Sequence, residues 1–139
     1  MYALLLTLHN IVRWIVVILA AYALARAYSG WLGKRAWGPS DRQAGMVFSI
    51  AMDVQVLFGI LLIGRDVFRG VTAGLGPFFL FWHIPLMVAA AVLVHIGTAA
   101  SRKAADDPAR HRLAATWFTI AMVAVLVAIP WTRPLLRLG

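Results

Sequence analysis

His9, Arg13, Asp53, His83 and His95 stand inside runs of otherwise apolar residues, and each needs a partner or a task there. His9 lies about seven residues inside the start of the first apolar run, about 10 Å down a helix that rises about 1.5 Å per residue. His83 lies about six residues inside the third run, at about the same level. Two neutral imidazoles facing one another at one level of an apolar bundle are what axial ligation of a b-type haem requires. The competing reading is that each histidine hydrogen-bonds a neighbour and joins two helices. Met87, one turn beyond His83 on the same face, is counted with the candidate cofactor-binding residues.

Arg13 carries its own demand. At the centre of an isolated helix an arginine costs about 2.5 to 3.5 kcal/mol to insert. Asp53, about 16 Å down the second run, is equally deep and is the expected ion-pair partner. The alternative places Arg13, one turn below His9, on a haem propionate through its planar fork. Gln55, two residues from Asp53, faces elsewhere and reads as an interhelical hydrogen-bonding group. His95 lies about 18 Å below His83 with no histidine opposite it, so at most one bis-histidine haem is expected. Its expected roles are a hydrogen bond to Tyr22 or a backbone carbonyl, lone ligation, or the wall of a quinone pocket. His111, in the basic segment "PARHRLAA", reads as solvated.

The elements that must position these residues follow from composition. Of 139 residues 63% are hydrophobic and 13% charged, with a mean hydropathy of +0.85. These values describe an integral membrane protein. Four runs are long enough to cross about 30 Å of hydrocarbon as helices: Tyr2 to Tyr28, Gln43 to Gly64, Pro77 to Ala100 and Leu113 to Trp131. The expected fold is all-α, a single four-helix transmembrane bundle over 1–139 with up-down topology. No positive charge precedes the first run, so it reads as a mature helix rather than a signal peptide. Arg26, Lys34, Arg35 and Arg42 in the first loop and Arg102, Lys103, Arg110 and Arg112 in the third place those loops in the cytoplasm. The second loop has Arg65 and Arg69, and the tail Arg133 and Arg137, so both termini lie outside. A bacterial inner membrane is the expected location.

Trp31 and Trp37 at one boundary and Trp82 and Trp131 at the other form aromatic belts. The net charge of +8 sits at helix ends and comes with no nucleic-acid recognition motif, so the expected partner is the lipid bilayer and not nucleic acid. With no cysteine, thiolate metal sites, disulfides and covalent haem attachment are absent. Gly59 and Ala89, Ala90 and Ala91 make slim helix faces, which leave room for a flat ring or for close helix packing. Pro85 is placed to kink the third helix.

The segments "LHNIVRW", "SGWLGK", "DVQVLFGILL", "HIPLM", "HIG", "SRKAADDPARHR" and "IPW" together resemble a family of short four-helix membrane proteins often labelled cytochrome b. The likeness runs over nearly the whole chain. It implies haem b and electron transfer, and in that family histidine often stands where this chain has Asp53.

A bis-histidine iron has no open position, so one-electron transfer between a membrane quinol and an outside partner is the expected role. Covalent catalysis is not expected. The chain has no glutamate, no converging nucleophile and base, and no phosphate-binding loop, and "GVTAGLG" reads as a turn. Two other classes remain: a cofactor-free accessory subunit of a larger respiratory or photosynthetic complex, and a proton or ion relay along Arg13, Asp53 and His95. A quinone, a redox complex and a second copy of the chain are the open partners.

Overall fold

The computed structural model describes residues 2–68 and 76–132, with side chains omitted at 65–68. Arg69, Arg133, Arg137, the Arg65 side chain and most of the "GVTAGLG" turn lie outside the described residues. Those described form four long helices: α1 (Tyr2–Leu32), α2 (Pro39–Phe68), α3 (Gly76–Lys103) and α4 (Asp107–Ala128). Each holds a stretch long and apolar enough to cross a membrane, which fits an integral membrane protein.

Large apolar side chains point outward, among them Ile18, Leu57, Phe81, Val92 and Val127. Small ones fill the interior, including Ala20, Ala23, Ala90, Ala115, Ala121 and Ala128. Lipid tails are as apolar as leucine, so burial of bulk gains little and close backbone approach by small residues decides which faces meet. α1 packs on α2 and α4, and α3 on the same two helices. Gly97 of α3 shows how tight this is, because a Cβ there would lie 2.7 Å from the Cβ of Trp117 on α4. Phe48 and Phe118 meet edge to face beside it, 5.5 Å between ring centres.

Helix ends depart from the hydropathy boundaries where capping chemistry takes over. α4 begins at Asp107 rather than Leu113, since the Asp106 carboxylate accepts from the Ala109 N–H at 2.8 Å and Pro108 suits the first turn. It stops at Ala128 because Ile129 precedes Pro130 and is extended, ψ 128°. α1 runs on to Leu32 and closes with Lys34 at φ 50°, the Arg35 N–H reaching back to the Gly30 carbonyl at 3.0 Å. Asp41 then ties this end together, pairing with Arg26 at 2.9 Å and Arg35 at 2.7 Å while accepting from the Gly38 N–H. Its hydrogen bonds hold the Arg35 guanidinium above its ordinary pKa.

α3 opens with a wide π-helical turn at Phe79–His83, closed by the Ile84 N–H on the Phe79 carbonyl. Pro85 follows at once and has no N–H for the carbonyl of Phe81, which accounts for a change of register here. The turn ends on His83.

Candidate functional site

His9 comes from the second turn of α1 and His83 from the end of the wide turn in α3. Their rings lie together, 6.2 Å between centroids and 62° between planes. His83 Nδ1 donates to the Ala128 carbonyl at 2.7 Å, a group available because α4 ends there without a further turn to claim it. That bond assigns the proton to Nδ1 and leaves Nε2 as an acceptor or ligand. His9 Nε2 accepts from the Gln55 amide nitrogen at 3.1 Å. His9 Nδ1 and Gln55 Oε1 are buried without a hydrogen-bond partner.

Met87 is buried on the next turn of α3, and Gly59 of α2 presents bare backbone, a Cβ there lying 3.6 Å from His9 Cε1. With Val56, Ile60, Ile63, Ile84 and Val88 these residues line a cavity of about 60 Å³ along the α2–α3 seam. Phe79 packs on His83 at 5.3 Å between centroids.

Two metal–nitrogen bonds of about 2 Å each, plus two half-widths of imidazole, set the ring centres of a bis-imidazole site roughly 6 Å apart. The histidine pair matches that separation. The room beside it is another matter. At about 30 Å³ per water the cavity holds about two waters, so a porphyrin enters only if α2 and α3 part by about 3.5 Å, the thickness of an aromatic ring. The donors suit haem iron, and the seam as it stands is too narrow for the ring.

Asp53 is not the partner of Arg13. It hydrogen-bonds His95 Nε2 at 2.8 Å, on the outer face of the α2–α3 seam, with side chains 56% and 53% exposed. Equal depth suggested the Arg13–Asp53 pair, but Asp53 faces outward whereas Arg13 is only 5% exposed. The relay drawn through Arg13, Asp53 and His95 therefore finds two of its members together and the third on the inside. Arg13 places its guanidinium carbon 5.4 Å from the Trp14 ring centre and does not line the cavity. His95 engages Asp53 in place of Tyr22 or a backbone carbonyl.

His111 corrects a second expectation. It is fully buried, Nε2 donating to the Arg35 carbonyl at 3.0 Å and its ring edge-on to Trp37 at 4.9 Å. Its ring fills the space a Cβ at Gly30 would take.

Gln55 makes the interhelical hydrogen bond expected of it, and its partner is His9. Its direction follows from spacing: two residues are about 200° on a helix, so with Asp53 facing outward Gln55 faces in, toward His9. No protein-family model, curated protein or solved structure matches the chain.

Proposed function

We propose that the protein is a membrane-embedded, b-type cytochrome-like electron carrier in which His9 and His83 are the axial ligands of one haem. The observation that carries this reading is the 6.2 Å approach of two imidazoles, one with its Nδ1 proton committed to a carbonyl. Among the described residues no third metal-binding side chain joins them. Two protein donors complete an iron's coordination when a porphyrin supplies the other four. Haem, when bound, supplies reversible one-electron chemistry. The chain's own residues do the rest. Ala128 orients His83, Gln55 holds His9 until its amide gives way, and Met87 and Gly59 offer a soft and a slim wall to the ring.

The bundle is up-down in this reading, with both termini outside, the first and third loops cytoplasmic, and a bacterial inner membrane as its location. A quinol is the fitting electron source because it shares the bilayer. One observation favours a second reading, a cofactor-free accessory subunit: the half-exposed Asp53–His95 pair is a polar spot that a partner helix would cover.

Haem titration into protein purified in mild detergent tests the proposal. About one haem per chain is expected, with a Soret band that sharpens and shifts on dithionite reduction. A preparation that stays colourless after haem is supplied points to the accessory subunit.

A further inference from the structure

At the opposite end of the bundle from the histidine pair, a half-open cavity of about 220 Å³ is lined by Trp37, Arg42, Arg102 and Arg110. Three elements each send one guanidinium into it: Arg42 from the first turn of α2, Arg102 from the last turn of α3, Arg110 from the first turn of α4.

The charges around it do not cancel. Asp41 is committed to Arg26 and Arg35, Asp53 to His95, Asp106 to the cap of α4, and Asp107 to Arg110 at 3.1 Å. Arg42 and Arg102 have no ion pair among the described residues. Arg110 is pinned, its Nε donating to the Ala104 carbonyl at 3.2 Å. The Trp37 wall is braced from behind by His111, itself held on the Arg35 carbonyl.

We infer that this cavity binds the phosphate of an anionic phospholipid headgroup. Guanidinium forks match phosphate oxygens in pairs, and the two arginines without an ion pair, Arg42 and Arg102, with Arg110 held beside them on a third helix, create a site that a phosphate completes. At about 30 Å³ per water the space equals about seven waters, enough for a phosphate and its glycerol. Its position supplies the source. Loops joining helices that cross a bilayer lie where the headgroup phosphates are, and basic pockets between such helices take anionic lipids.

The test uses the full chain in mild detergent, with cardiolipin, phosphatidylcholine and inorganic phosphate added separately. Cardiolipin should raise the thermal midpoint and stay bound in native mass spectrometry at about one per chain, with at least tenfold preference over phosphatidylcholine. An Arg42→Gln, Arg102→Gln variant should lose that preference. A Lys103→Gln, Arg112→Gln variant removes the same charge from residues outside the cavity and should keep it. Equal retention of both lipids by the wild type overturns the inference, and that readout needs no variant to fold. Equal loss in both variants also overturns it, since the attraction is then diffuse. A shift reproduced by millimolar inorganic phosphate overturns the lipid as source.

Discussion

Asp53 and His95 share a hydrogen bond between α2 and α3, with more than half of each side chain exposed on the outside of the bundle. A bond of that kind is worth about 0.6 kcal/mol on average and up to about 1.7. A double-mutant cycle of Asp53→Leu and His95→Leu, read by unfolding in detergent, should return a coupling of that size. A cycle of Asp53→Leu with Arg13→Met should return a smaller one. Equal coupling in the two cycles would contradict the pairing seen here. Asp53 also shows where reading depth runs out. Counting residues locates a side chain along the membrane normal, and for His9 and His83 the structure puts equal depth and close approach together. It says nothing of azimuth, and azimuth is what separates an inward Arg13 from an outward Asp53. His111 was misjudged for a related reason. The polar letters around it describe a loop, but α4 starts six residues before Leu113 and turns that histidine inward.

Two helix ends carry consequences for stability. Asp106 caps α4, and Asp106→Ala should cost about 1 kcal/mol because the Ala109 N–H loses its acceptor. Gly30 is required by packing. Gly30→Ala drives a methyl group into the His111 ring, an overpacking that should cost about 1–3 kcal/mol in thermal unfolding. His111→Ala should make the second substitution cheaper, whereas independent costs would show that the ring does not fill that space. Four apolar runs made the four helices legible, since length and hydropathy alone set what can cross a bilayer. Their ends were less so, because a carboxylate cap or a residue at positive φ overrides hydropathy within a turn.

For the molecule as a whole, the proposed orientation rests on the flanking charges, and the absence of cysteine makes it simple to check. A single Ala105→Cys variant in intact cells should resist an impermeant thiol reagent and react after the membrane is opened. Labelling in intact cells would reverse the bundle. The proposed haem site lies at the seam between α2 and α3, where a cavity of about 60 Å³ is bordered by the two imidazoles. The most direct measurement is the low-spin haem spectrum, by absorbance and electron paramagnetic resonance, of haem-supplied wild type beside His9→Ala, His83→Ala and His95→Ala. Bis-imidazole ligation predicts a low-spin signal in the wild type, its loss in either of the first two variants, and its retention in His95→Ala. A low-spin signal that survives both His9→Ala and His83→Ala, or that vanishes only with His95→Ala, would contradict the assignment.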